Sequence, residues 1–256
     1  MEQIAFITGA SSGFGRGMAR RLAARGWGVA LAARRVDRLE EVAAEVAAAG
    51  GRALVCPCDV GDRDQVRSAV VETVAKLGPV DLLLANAGVD WDTHATRLDG
   101  TEVEALMRIN FLGVVYAAEA MLPSMIERGR GHLVGVGSLA GYGGLPHTAA
   151  YCASKAAVDK FLESLRLDLR GTGVDVTLLT PGYVKTEMTD SNPYPMPFLM
   201  ELDDALDRFE RAIDGRKRRV GFPFPLWVQV FLGQILPRRL YDAVASKQER
   251  DKTTGG

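Results

Sequence analysis

Thr8-Gly9-Ala10-Ser11-Ser12-Gly13-Phe14-Gly15 decides how this chain is read. It comes after a short apolar run at 3–8 and precedes a stretch of helical spacing at 13–25, where Met18, Leu22 and several alanines share one side. Glycines here permit a tight turn and let backbone amides approach a pyrophosphate, and a helix opening at Gly13 aims its positive dipole end at the same place. Glycine-rich turns are common, so the weight comes from context: a strand before and a helix after.

Working outward, the pattern alternates. Strands are expected at 28–33, 52–56, 80–84, 132–137 and 174–179. Helices are expected at 36–49, 62–77 and 149–170, with two more helical stretches across 101–128. Runs such as Ile4-Ala5-Phe6-Ile7 are continuously apolar, as in a parallel strand covered on both faces. The fold class expected is therefore α/β, a doubly wound (Rossmann-like) parallel β-sheet flanked by helices, in one domain at 1–251 with a disordered tail at 252–256. Ligands on such sheets bind at the carboxyl ends of the strands, near the point where strand order reverses.

The turn reads TGxxxGxG, not GxGxxG. Together with motifs at later strand ends, it makes the chain resemble the short-chain dehydrogenase/reductase family across roughly residues 3–186. Asp59-Val60, after the third strand, resembles the family's adenine contact. Asn86-Ala87-Gly88, after the fourth, resembles its NAG motif, although Ala85 stands where another Asn is usual. Pro181-Gly182, Val184 and Thr186, after the sixth, resemble the segment that holds the nicotinamide amide. The resemblance implies a dinucleotide cofactor on Gly9, Ser11, Ser12, Gly13, Phe14 and Gly15.

The second strand ends Ala33-Arg34-Arg35. A carboxylate at position 33 would bind a ribose 2′-hydroxyl and repel a 2′-phosphate. Ala33 does neither, and Arg34 can give a phosphate a charge-assisted, bidentate contact, with Ser11 adding a hydroxyl. The expected cofactor is NADP(H). Arg35 is read as the solvated start of the next helix.

Tyr151 and Lys155 stand four apart on a helix and so share a face. That spacing alone is uninformative. It gains force from Ser138 at the end of the fifth strand and from Asn110, which completes the four-residue set of the family. Reducing a carbonyl requires a hydride on carbon and a proton on oxygen. A phenol of pKa ~10 is a weak acid–base group near neutrality unless a neighbouring ammonium favours its anion. Tyr151 is thus expected to move the proton, Lys155 to tune it and bind the nicotinamide ribose, and Ser138 to hold the substrate oxygen. The resemblance further implies that Asn110 holds a water of a proton relay. The expected activity is an NADPH-dependent interconversion of a carbonyl and a secondary alcohol on an apolar small molecule. The alternative is a catalytically silent NADP(H)-binding regulator or scaffold, against which stand Ser138, Tyr151 and Lys155. Epimerases or dehydratases of this fold tend to carry a larger C-terminal domain.

With 256 residues, 47% of them hydrophobic, and a net charge of −1, the chain is globular and offers nucleic acid no electrostatic footing. Cys56, Cys58 and Cys152 read as reduced thiols of a cytoplasmic protein, and no Cys/His cluster has metal-ligand spacing. No secretory leader and no apolar run of spanning length is expected. His147 is read as a solvated loop residue, His94 and His132 as bystanders, and Arg216–Arg219 as a basic turn before a short strand. Residues 187–202, rich in Met, Pro and aromatics, read as a substrate lid whose region is drawn to 215. The apolar segment at 222–250 is assigned first to packing, as the interface of a homodimer or homotetramer or against the core. Peripheral membrane contact, helped by Arg238-Arg239, comes second.

Overall fold

The computed structural model describes residues 2–190, 192 and 194–245. The tail expected at 252–256 and the end of the 222–250 segment lie outside the described residues.

The first half of the chain alternates strictly: β1 (Ile4–Thr8), α1 (Gly13–Ala24), β2 (Gly28–Ala33), α2 (Val36–Ala48), β3 (Arg52–Pro57), α3 (Arg63–Lys76) and β4 (Leu82–Ala85). Then come α4 (Gly100–Met107), α5 (Gly113–Glu127), β5 (Gly131–Val136), α6 (Ala149–Asp168) and β6 (Val174–Pro181). The chain closes with α7 (Glu187–Asp190), α8 (Leu202–Asp214), β7 (Arg219–Phe222), α9 (Phe224–Ile235) and α10 (Arg238–Ala245). The seven strands form one parallel sheet in the order β3-β2-β1-β4-β5-β6-β7. Strand order reverses between β1 and β4, and the glycine turn leaves β1 at that crevice.

Alternate residues of β1 feed the two faces of the sheet. Phe6 joins Leu83, Leu133, Val158 and Leu162 in one core cluster, while Ile7 joins Leu22, Leu84, Leu206 and Phe209 in the other. Both faces are covered, which is why Ile4-Ala5-Phe6-Ile7 of β1, and β2 and β4, read as unbroken apolar runs.

Two expectations change. The helical run Gly100–Glu127 spans 28 residues, with a mean hydropathy of 1.4 over its most apolar window, and is long and apolar enough to cross a membrane. Here it packs instead: Val114, Ala117, Ala118, Met121 and Met125 are buried in the core, and a π-helical turn at Arg108–Leu112 joins its halves. The second change concerns the lid. Its latter half is α8, which is fixed in the core: Phe209 stacks on Phe14 at 4.7 Å, and Arg21 of α1 bonds Asp207 (2.6 Å) and Glu210 (2.7 Å). Gly17 makes this possible, since a Cβ there would stand 2.4 Å from Leu206 Cδ1.

Helices α9 and α10 rest on the loop that leaves β5. Gln234 Nε2 donates to the Tyr142 carbonyl (3.0 Å) and the Tyr241 hydroxyl to that of Gly144 (2.7 Å). Trp227 is stacked between Phe224 (5.9 Å) and Phe231 (5.6 Å), while Phe224, Phe231, Leu232, Ile235 and Leu240 stay exposed.

Candidate active site

The glycine turn is compact because Gly9 adopts a φ of +66° and because a Cβ on Gly15 would stand 2.2 Å from the Gly9 carbonyl oxygen. The loop after β4 clamps it. Asn86 and Ala87 donate their amides to Thr8 Oγ1, each at 3.0 Å, and Asn86 Nδ2 donates to the Thr8 (3.0 Å) and Gly9 (3.3 Å) carbonyls. This leaves a rigid cradle at the N-terminus of α1, suited to a pyrophosphate. Phe14 sends its ring away from the cradle onto Phe209, so only its backbone faces the turn. Across the turn, the Thr186 methyl lies 3.5 Å from where a Gly13 Cβ would be.

At the β2 end, Ala33 is buried and presents no carboxylate. The next two residues are not arranged as expected. Arg34 is exposed, and among the described residues no side chain pairs with it. Arg35, read as a solvated helix start, lies over the turn: its Nη2 donates to Ser11 Oγ (3.1 Å) and Ser12 Oγ (2.9 Å), and its Nη1 to Glu187 Oε2 (3.1 Å). Beyond β3, Asp59 accepts from the Gly61 amide (2.9 Å), which shapes its loop, and Val60 is buried beside it.

Ser138 lies just past β5 and caps the turn Leu139–Tyr142 by accepting from the Ala140 amide at 3.1 Å. Its hydroxyl hydrogen-bonds Tyr151, one helical turn from Lys155 on α6. Lys155 is 4% exposed and its Nζ donates to the Val136 carbonyl at 3.0 Å. Asn110, fully buried in the π-helical turn, accepts from the Val89 amide (2.8 Å) and donates to the Val89 carbonyl (2.8 Å) and Ser154 Oγ (3.0 Å). It braces the loop after β4 against α6, and both its amide hydrogens are engaged. The segment after β6 is pinned as well: the Gly182 amide donates to the Phe222 carbonyl (2.7 Å), Val184 is buried, and the Thr186 amide donates to Thr189 Oγ1 (2.9 Å).

The electrostatics depart from the simple expectation of a phenol tuned by an ammonium. Lost hydration pushes the Tyr151 phenol well up, and the Ser138 hydrogen bond pulls it only partly back. The same burial pushes Lys155 down to about 8, with Asp90 opposing. Asp90, two residues past the NAG motif, opens on the cleft, and lost hydration raises it to about 6 against the pull of Lys155. Tyr183 is likewise pushed up by burial. The resting site therefore holds a protonated phenol, which suits donation to a carbonyl oxygen. Asp90 and Tyr183 were not singled out in the sequence, and Arg35 was read there as the solvated start of α2. Asp90's closeness to the NAG motif was a usable signal, whereas only folding brings Tyr183 and Arg35 to the cleft. His147 is packed, not solvated: it stacks on His94 at 4.6 Å and stands 3.5 Å from Asp92. The three cysteines are buried free thiols, Cys58 pushed up to about 12 and Cys56 also raised, both by burial, which leaves those two unreactive.

The sequence model of the short chain dehydrogenase family matches residues 3–195. An uncharacterized oxidoreductase of Myxococcus xanthus is 46% identical over 243 residues, which is 95% of this chain and 96% of that protein. A sulfoacetaldehyde reductase of Chromohalobacter salexigens is 42% identical over 193 residues, 74% of this chain and 75% of that protein. Among solved structures, a metagenomic short-chain oxidoreductase in complex with NADP superposes with a TM-score of 0.75 at 31% identity, over 86% of this chain and 96% of that one. The glycine turn, its clamp and the parallel sheet thus sit in a known lineage: the chain belongs to the short-chain dehydrogenase family of oxidoreductases.

Proposed function

We propose that this chain interconverts a carbonyl and a secondary alcohol on a small molecule with an apolar body, using NADP(H). The observation that carries the reading is the meeting of Ser138, Tyr151 and Lys155 at the carboxyl end of β5, next to the clamped glycine turn. The bound dinucleotide supplies the hydride, or takes it in the other direction.

The amides of Gly9, Ser11, Ser12, Phe14 and Gly15, with Gly13, hold the pyrophosphate, and Arg34 reaches the 2′-phosphate. Asp59 and Val60 border the adenine. Asn86, Ala87 and Gly88 back the ribose, and Pro181, Gly182, Val184 and Thr186 border the nicotinamide. The NADP complex of the metagenomic relative and the missing carboxylate at position 33 support this choice of cofactor.

Ser138 donates a hydrogen bond to the substrate oxygen, stabilising the charge that grows there. Tyr151 gives its hydroxyl proton to that oxygen, and the Lys155 ammonium offsets the phenolate left behind. With both amide hydrogens of Asn110 committed, a water that relays a proton from Lys155 must sit on an acceptor oxygen of that residue. Exposed Met188 and Phe198 supply apolar surface for the substrate, and the Asp90 carboxylate disfavours an anionic one. The buried free thiols support residence in the cytoplasm, and the exposed face of α9 and α10 supports assembly as a homodimer or homotetramer.

The test monitors NADPH absorbance against ketones, aldehydes, steroids and 3-oxoacyl thioesters. Turnover with any of them carries the proposal. NADPH binding without turnover on the whole panel would favour the silent regulator.

A further inference from the structure

We propose that Asp159, Arg219 and Tyr142 are positioning residues for the candidate active site: together they brace the short turn after β5 against α6 and so hold the Ser138 hydroxyl on Tyr151. The effect on turnover rests on the function proposed above, whereas the effect on the Ser138–Tyr151 contact does not.

Tyr151, Lys155 and Asp159 follow one another at intervals of four along α6 and share one stripe of it. The proposed chemistry uses the first two and leaves the third idle. Asp159 is 7% exposed, and a carboxylate so placed needs a partner. Arg219, the first residue of β7, supplies it: Nη1 donates to Oδ2 (2.8 Å) and Nη2 to Oδ1 (2.7 Å). The sequence puts Arg219 in a solvated basic turn, but its side chain is half-buried. Its fork also reaches a third group. Nη1 donates to the Tyr142 hydroxyl at 2.8 Å, and the guanidinium lies 5.7 Å from the centre of the Tyr142 ring.

Tyr142 ends the turn that Ser138 begins. Ser138 enters that turn twice, since its Oγ accepts from the Ala140 amide (3.1 Å) and its carbonyl from the Gly141 amide (3.0 Å). A shift of the turn therefore redirects the hydroxyl. The middle of the turn lies flat on α6: a Cβ on Gly141 would stand 2.9 Å from the Lys155 carbonyl carbon and 3.0 Å from the Ala156 nitrogen. Glycine permits that approach but has no side chain to hold it. The hold comes from Tyr142 through Arg219 to Asp159, one helical turn past Lys155. Gln234 of α9 adds a bond to the Tyr142 carbonyl (3.0 Å) from the exposed side.

Tyr142→Phe removes one hydroxyl and leaves Arg219 on Asp159, so the buried charge keeps its partner. Magnetic resonance of the full chain, with its six tyrosines isotopically labelled at Cζ and Tyr151 assigned through Tyr151→Phe, reads the Ser138–Tyr151 contact without turnover. Tyr142→Phe should move the Tyr151 signal in the direction that Ser138→Ala moves it, and should add nothing in the Ser138→Ala background. Arg219→Lys, which keeps a cation but lacks the fork, should act as Tyr142→Phe does. With a substrate from the panel, Tyr142→Phe should lower kcat roughly 3- to 10-fold, the worth of about one hydrogen bond, with KM for NADPH within about twofold. A Tyr151 signal that ignores Tyr142→Phe or Ser138→Ala, or that Tyr142→Phe moves equally with Ser138 absent, overturns the brace. If the signal moves as expected but the parent turns over nothing on the panel, the brace stands and the proposed function falls.

Discussion

The Lys155 ammonium stands 5.7 Å from the centre of the Tyr151 ring, over its face, and is fixed there by its hydrogen bond to the Val136 carbonyl. A cation so placed strengthens the electrostatic case for proton loss from the phenol, while burial works against it. Tyr151→Phe is expected to lower kcat by about 10²–10⁴, the usual worth of a positioned acid, with NADPH affinity retained. Lys155→Met should lower kcat similarly and also weaken NADPH. Steady-state kinetics and NADPH fluorescence titration check both, and a Tyr151→Phe enzyme that keeps most of its kcat contradicts the assignment.

Asp90 titrates near 6 and is charged above that pH, where it holds Lys155 and Tyr151 up. The pH profile of kcat/KM, which reports the free enzyme, should bend near pH 6 and again near 8. Asp90→Asn should remove the first bend and move the second to lower pH, since the lysine loses an anionic neighbour. A profile that keeps its acid limb in the variant would remove Asp90 from the site.

His132 is buried in β5 with its Nε2 2.8 Å from Thr177 Oγ1, and burial lowers its pKa to about 4. The unfolded chain takes this proton near 6.5 and the folded chain only near 4. The native state is therefore fully favoured above about 6.5 and loses stability as pH falls toward 4, by up to about 3 kcal/mol. His132→Gln should flatten the slope of unfolding free energy against pH in that window, measured by urea titration at each pH. Equal slopes in parent and variant would mean that the histidine is not buried as described.

Gly17 separates a packed α8 from a mobile one. Gly17→Val drives a side chain into Leu206 and should destabilise the fold by about 2–3 kcal/mol. In a domain of this size that is a fall in Tm of roughly 4–12 °C. An unchanged melting curve would return α8 to the lid.

Ile235 is 71% exposed at the end of α9. If this face joins two copies, Ile235→Glu should shift the sedimentation coefficient to that of a smaller species at the same fold content. Loss of co-sedimentation with anionic vesicles, at an unchanged oligomeric state, would assign the face to a membrane instead.

The order of strands and helices and the ends at which the motifs fall were legible along the chain, because a buried parallel strand demands an unbroken apolar run and a phosphate turn demands glycine. Ser138, Tyr151 and Lys155 were legible for a related reason: a strand end and a helical face place them whatever else the chain does. Contacts between distant segments were not. That Arg35 and not Arg34 crosses to Ser11, Ser12 and Glu187 depends on how α2 and α7 flank the turn, and no local spacing encodes it. The lid boundary escapes the sequence for the same reason, since α8 becomes core only when Leu206 finds the gap at Gly17. Tyr151 was singled out by Ser138 and Asn110 standing alongside its spacing from Lys155, but its protonation state was decided by desolvation, a property of everything packed around it.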